Sequence, residues 1–449
     1  MVSRRKYLVA ASGLMAAGAV GYAVSRDESV EGDINVQDFG AVGDGETDDS
    51  TAISDAINAA ESGESVVFPQ SDDPYLVSFN GTGNEAAIRL GDENDLDGVT
   101  VTGEVPEADA QILQVEAESY DSTTANWIIR LNAEQVIDGL RFSNLTIDGA
   151  RPPGDDPAGA DGESSLTGVV LRRGSADGGH NIVFENCLVR NCSASAFRFE
   201  ESGVVCRRVT ADQAGRHGFN PVAADTKTDP GFVGENIKAI NCDGTGINHR
   251  NGTARLENVY TGGNRSGNKW KHTTEQLVVR NHHSVGDGHS GWRSNHTSNS
   301  DEELPERQHI VFEQVFVEEA EETGISISGE DTEIECELRD IEVRQTTVRD
   351  GSRAGIQISR DVSTPDEKKG DVIVSNTNNG PGMYIGSGAV VAIDTYRHFE
   401  NDSGPLIANT GELYYQQKSN DDTEWDVYET PKREMVGAFS ADYRSRWWN

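Results

Sequence analysis

The sequence predicts an all-β fold, a parallel β-solenoid led by a short capping helix, and three observations predict it. A polar residue recurs behind short apolar runs: Asn144, Asn186, Asn241, Asn258, Asn281 and Asn376, with Arg208, Gln314 and Asp340 in the same slot of other units. A small residue then opens a second apolar stretch: Ala196-Phe197, Gly218-Phe219, Gly246-Ile247, Gly291-Trp292, Gly324-Ile325, Gly355-Ile356 and Gly382-Met383. The interval between the two markers is ten in four units, 186 to 196, 208 to 218, 281 to 291 and 314 to 324. A unit of this size buries its apolar face by stacking on its neighbours, and Asn suits a tight left-handed turn repeated in every coil.

Composition agrees with an extended, salt-tolerant surface. The 449 residues carry 76 acidic and 38 basic side chains, a net charge of −38, with 48 Gly and 35% apolar residues. Such a balance approaches that of disordered chains, yet the apolar spacing is regular, so the acids read as a hydrated, halophilic exterior. The same charge disfavours nucleic acid and anionic membranes as partners. Of five cysteines, Cys187 and Cys242 fall in the slot that holds Val209, Val259, Val315 and Ile341, and read as small core residues rather than a disulfide or metal framework.

Four regions follow in chain order. Residues 1–30 hold Ser3-Arg4-Arg5-Lys6-Tyr7-Leu8, an Ala/Gly-rich apolar stretch to Val24, and then Arg26-Asp27-Glu28. This resembles a twin-arginine export signal, which implies an extracellular or cell-surface protein, with membrane contact only if the segment is retained as an anchor. Residues 31–110 form the cap and first coils. Ile34 to Phe39 alternates like a strand, Gly40 to Gly45 is a turn, and Asp48 and Asp49 start a helix whose Ala52, Ile53, Ala56, Ile57 and Ala60 share one face. Val66-Val67-Phe68-Pro69 returns to strand. The solenoid occupies 111–411, with insertions at 150–166, 221–236 and 296–308. From Glu412 to Asn449 the pattern changes to a terminal cap, with strands at Leu413-Tyr414-Tyr415 and Trp425-Asp426-Val427-Tyr428 and with Trp447-Trp448 pinning the tail.

The run Asp38-Phe39-Gly40-Ala41-Val42-Gly43-Asp44-Gly45-Glu46-Thr47-Asp48-Asp49, followed by a helix and a strand ending in Phe68-Pro69, resembles the leading segment of the pectate-lyase-like superfamily. The resemblance implies a right-handed parallel β-helix with a polysaccharide lying across the strands of one sheet. Lyases, polygalacturonase-like hydrolases, epimerases and viral tailspikes share the segment, so its role is capping and it names no activity.

The chemistry is sought between residues 216 and 296, which hold seven of the ten histidines and a local charge of +3. Alternation along each strand turns Arg198 and Glu200, Asn220, Asn248 and Arg250, Lys269 and Lys271, and Arg293 and Asn295 outward, with Phe197, Phe219, Ile247, Trp270 and Trp292 inward. Arg250, Lys271 and Arg293 are then expected to form one cationic column, suited to a uronate polymer. In β-elimination such cations neutralise the sugar carboxylate and acidify the C5 proton. A base removes that proton, and an acid protonates the departing O4. Lys271 and Arg293 resemble the Lys/Arg pair of β-helical alginate and chondroitin lyases, and Arg216-His217-Gly218-Phe219-Asn220 resembles a coil of the mannuronan C5-epimerases.

The expected catalytic residues are therefore Lys271, Arg293, His272 and His217, with Arg216, Asn220, Asn248, Arg250, Lys269 and Asn295 binding substrate. The epimerase Asp-Pro-His motif is not matched, since Asn220-Pro221-Val222 stands nearest. No cofactor or metal ligand set is evident. Calcium is the ion the lyase resemblance would allow, although no glutamate accompanies the asparagines. His282 falls in the core slot of Cys187 and reads as a packed histidine. The sequence leaves open a hydrolase, a C5-epimerase, a non-catalytic glycan-binding module, and cations paired with Asp225 or Asp229.

Overall fold

A computed structural model describes residues 33–427 apart from 80–85, 92–95, 107–110, 117–124, 133–135, 152–164, 173–179, 223–230, 251, 272–273, 296–304, 330–332, 348–353, 360–361, 364–370, 376, 378–381, 387–388, 400–405, 409–411 and 422–423. Residues 1–30, Asn376, Asp225, Asp229, His272, His296 and Trp447-Trp448 lie outside the described residues.

The architecture is the expected right-handed parallel β-helix. One 12-stranded parallel sheet runs from Ala86–Leu90 to Leu406–Ala408, taking one strand from each coil. The other strands of the coils form a 22-stranded sheet that wraps the remaining circumference. Parallel pairing continues beyond residue 411: strand Glu412–Asp421 stacks on Val390–Phe399 before Glu424–Val427 turns back antiparallel. Backbone hydrogen bonds satisfied between coils thus extend into the region read as a separate cap.

The recurrent polar residues mark where the chain turns. Asn144, Asn186, Arg208, Asn258, Asn281, Gln314 and Asp340 all have left-handed φ between 50° and 57°. Asn236, at φ 56°, completes the file. Asn241 belongs to a second left-handed file with Asn191, Gln213, Gly263, Gly286, Glu319 and Gln345. The coils between Asn144 and Gln345 therefore have two such corners, which the sequence pattern alone merges into one. Cys242 moves with Asn241: it shares its file with Cys192 and Ala214, whereas Cys187 does align with Val209 and Val259. All five cysteines are buried and free.

Side-chain amides link neighbouring coils, as Asn281 donates to Asn258 Oδ1 at 2.6 Å and Asn186 to Asn144 Oδ1 at 2.8 Å. Gln314 follows Asn281 in this file. Because Asn tolerates the left-handed region better than other L-residues and can extend the amide ladder, Gln314→Asn should raise stability by roughly 0.5–1 kcal/mol in urea denaturation.

The small residues open the 12-stranded sheet because coils approach closely there. A Cβ on Gly218 would lie 2.7 Å from the Gly246 carbonyl oxygen and 2.9 Å from the Ala239 Cβ. Inward of them the core is a stack of aromatic rings, with Phe197 on Phe219 at 5.1 Å and Phe142 on Phe184 at 5.1 Å. Each fully buried ring contributes on the order of 2–3 kcal/mol.

The open first coil is covered by α1, Ser50–Asn58, which buries Ile53, Ala56 and Ile57. Asp49 stands at the helix start but makes no capping bond. Its carboxylate instead accepts the Val42 and Gly43 amides at 2.7 and 3.1 Å, tying the glycine turn to the helix.

Candidate functional site

Four consecutive strands of the 12-stranded sheet carry the site: β1 (His217–Pro221), β2 (Thr245–His249), β3 (Ser266–Lys271) and β4 (Ser290–Asn295). Pairing aligns Phe219 with Ile247, Ile247 with Asn268, and Asn268 with Trp292 on the inside. On the outside, Asn248 aligns with Lys269 and Lys269 with Arg293. Asn220 stands one coil before Asn248, and Asn248 Nδ2 donates to Asn220 Oδ1 at 2.9 Å.

This register corrects the expected column. Arg250 and Lys271 follow the His249–Trp270 pair, and Lys271 aligns with Asn295, so these three share a second file two residues further along the strands. Arg293 stands in the file of Lys269. The shift arises in β3, where the turn Asn258 and the small residue Gly267 are nine apart (267 − 258) instead of ten. The first inward position there holds the polar Asn268, which displaces Trp270 to the next inward position. A reading that seeks an aromatic in that slot slips by two residues and puts Lys271 where Lys269 belongs.

The cations converge around Lys269 and His217. Lys269 is partly buried, and desolvation followed by the charges of Arg293, Arg265 and Arg250 lowers its pKa from 10.5 to about 7. His217 is buried, and desolvation with the charges of Arg216, Arg250, Lys269 and Arg198 holds its pKa well below the ordinary value. Its Nε2 lies 3.4 Å from Asn248 Nδ2. The pKa of Arg216, at the head of β1, is in turn lowered by partial desolvation and by the charge of Arg198. The structure thus brings together His217, Arg216, Asn220, Asn248, Arg250, Lys269 and Arg293, with Lys271 and the backbone of Asn295 in the adjoining file. Arg265 was missed, although it precedes Gly267 by two residues just as Arg216 precedes Gly218.

Three other described histidines of this window take structural places. His249 is buried beside the Gly252 carbonyl with its pKa lowered to about 4 by burial. His289 contacts Glu322 at 2.9 Å. His282 is the packed core histidine the sequence indicates. Trp292 Nε1 donates to its Nδ1 at 3.0 Å, so its proton sits on Nε2, 3.3 Å from Thr261 Oγ1. The Thr261 and Ser284 hydroxyls and the Asn264 amides converge on the buried Asp287 carboxylate at 2.5–3.1 Å. This interior network lies directly beneath β3 and β4.

Among the described residues, no group of three or more His, Cys, Asp or Glu could hold a metal ion. The cluster offers two amide oxygens amid cations, a poor match for calcium, which takes roughly six to eight oxygen ligands including carboxylates. Among the described residues, no helix is long and apolar enough to cross a membrane. On the outward files, Glu200 stands one coil before β1, held by Arg172 and Arg198 at 3.6 and 2.8 Å.

Comparison with known proteins agrees with this architecture. The family described as rhamnogalacturonase A/epimerase, pectate lyase-like matches residues 33–269, more than half of the chain. Mannuronan C5-epimerase AlgE1 of Azotobacter vinelandii is 30% identical over 222 residues, covering 48% of this chain and 14% of the epimerase. Alginate lyase 7 of the same organism is 30% identical over 189 residues, covering 41% of this chain and 20% of the lyase. The chain thus matches less than a quarter of each of these relatives. Among solved structures, the A-module of the Azotobacter vinelandii mannuronan C5-epimerase AlgE6 superposes with a TM-score of 0.55 at 18% identity, covering 87% of this chain and all of that module.

Proposed function

Because the chain belongs to the rhamnogalacturonase A/epimerase, pectate lyase-like family, we propose that it is an enzyme acting on a uronate-containing polysaccharide by β-elimination. The observation that carries this reading is Lys269: an amine among arginines, with a pKa lowered to about 7, one coil from Arg293 in the same outward file. Arg293 and Arg250 pair with the sugar carboxylate and draw charge from C5. The neutral Lys269 amine removes the C5 proton. The C4–C5 double bond forms as the C4–O4 bond breaks, and the ammonium just made returns its proton to O4. Asn220 and Asn248 hold sugar hydroxyls, and neutral His217 accepts a further hydrogen bond.

Lys269 takes the role that the sequence reading gave to Lys271. Hydrolysis calls for two carboxylates flanking the bond, and the described residues of β1 to β4 turn none outward here. Epimerisation shares the proton abstraction at C5, and a relative named as a mannuronan C5-epimerase supports it as the second reading.

Incubation with alginate, pectate and glycosaminoglycans should yield unsaturated-sugar absorbance on at least one of them. Changed C5 stereochemistry without cleavage would move the assignment to epimerase, and new reducing ends without that absorbance would move it to hydrolase. Binding without any product, unaffected by Lys269→Met, would reduce the protein to a glycan-binding module. Export by the twin-arginine route and placement at the cell surface complete the proposal, motivated by the sequence of residues 1–30. A fusion of residues 1–30 to a reporter that reaches the medium only in a twin-arginine-competent host would support that route.

A further inference from the structure

The outward file that carries Lys269 and Arg293 does not begin at the site. Followed toward the N-terminus it runs through Asn248 and Asn220 to Arg198, Val170, Arg130 and Arg89 in successive coils. At its far end the cations are fixed by an aromatic ring. The guanidinium groups of Arg130 and Arg172 both lie 5.3 Å from the centroid of Trp127. Glu200 draws Arg172 and Arg198 together from the next coils. Arg89, Arg130, Arg172 and Arg198 stand on four successive strands of this sheet, a gathering of cations on a protein of −38, with Glu200 beside Arg172 and Arg198. Contact with Trp127 holds the two guanidinium groups in place before any ligand arrives, which lowers the entropy lost on binding.

We propose that this Trp127 cluster is a second anion subsite, which holds carboxylates of the same polyuronate chain several sugars away from the bond being broken. The inference rests on the reading of the Lys269 site as a uronate site. Five coil steps separate Arg130 from Lys269, about 24 Å at the ~4.8 Å spacing of stacked strands. An extended hexopyranose chain advances by a similar distance per sugar, so a ligand running along the solenoid axis presents its carboxylates to the coils almost in step. A disaccharide at Lys269 cannot span that distance. A chain of about six sugars can, and its second attachment is then intramolecular and adds to affinity without altering the chemistry at C5.

The test uses the full chain, titrated calorimetrically with saturated alginate-derived disaccharide and octasaccharide, in wild type and in the Arg130→Gln/Arg172→Gln double variant. The double variant should bind octasaccharide at least tenfold more weakly, bind disaccharide within twofold of wild type, and show a shallower salt dependence for the longer ligand. Arg89→Gln, at an exposed position, should weaken octasaccharide alone by a few-fold. Equal loss for both lengths, or unchanged octasaccharide binding in both variants, would overturn the subsite. If polymer is turned over by wild type and by the double variant with the same KM, the subsite fails while the proposed function stands. If wild type neither binds nor turns over any uronate, both fail together.

Discussion

Lys269→Met should abolish turnover while making the protein more stable. A positioned general base contributes on the order of 10²–10⁴ in rate, so kcat on a uronate polymer should fall about a thousandfold. KM should change little, because Arg293 and Arg250 still hold the carboxylate. In the wild-type protein, kcat/KM should rise as pH increases through about 7, where Lys269 loses its proton. The residual activity of the variant should lack that limb. Lys271→Met, in the file of Arg250 and Asn295, should retain most of kcat. A thousandfold loss in Lys271→Met with wild-type activity in Lys269→Met would place the base on Lys271 instead.

The stability gain follows from the same depressed pKa, and its sign can be worked out. Folding holds the Lys269 pKa near 7 against 10.5 for an ordinary lysine. The unfolded chain therefore binds the proton more readily, and between pH 10.5 and 7 stability falls as pH falls. At and below pH 7 nearly the full penalty applies. Each pKa unit corresponds to about 1.4 kcal/mol, and partial exposure screens the shift, so a gain of roughly 1–3 kcal/mol is expected for Lys269→Met at pH 7, and almost none at pH 10. Gain in stability with loss of activity is the signature of a residue held in an unfavourable environment for its chemistry.

Much of this was legible in the chain because solenoid geometry is periodic. A left-handed corner demands Asn in coil after coil, and a close approach demands Gly, so both signals repeat and reinforce one another. The fold, the capping helix, the packed His282 and the outward Asn220, Asn248 and Arg293 of β1, β2 and β4 all follow from that periodicity. What it concealed was β3, where one deleted residue and a polar Asn268 in an apolar slot break the pattern. The error in assigning the base is a register error of two residues, and register here is decided by interior hydrogen bonds that no linear pattern displays. The two corners per coil were confused for a related reason, since Asn236 and Asn241 sit five residues apart and both satisfy the rule.

Asp287→Ala should destabilise the protein by about 3–5 kcal/mol, as expected when several buried donors lose their shared acceptor at once. Alanine itself fits the site, since Ala320 takes the corresponding place one coil later. The loss therefore reflects the partners left behind: the Thr261 and Ser284 hydroxyls and the backbone and side-chain amides of Asn264 all direct donors at the Asp287 carboxylate. Each buried donor without an acceptor costs about 1–3 kcal/mol, less where a hydroxyl can rotate to another partner. His282→Val, the residue of both flanking coils at that slot, should lose less, because Trp292 Nε1 alone is clearly deprived of its acceptor. The consequence reaches the outer face. Asn268 lies between Thr261 and the Gly291 carbonyl and precedes Lys269 in the chain, while Trp292 precedes Arg293. A network that fixes Asn268 and Trp292 also fixes the backbone from which the proposed base and its carboxylate-binding partner emerge. In urea denaturation Asp287→Ala should shift the midpoint without changing the slope, and in kinetics it should lower kcat more than it raises KM. An unchanged midpoint would show that the interior hydrogen bonds contribute nothing to the stack, and the geometry of Lys269 would then need another support.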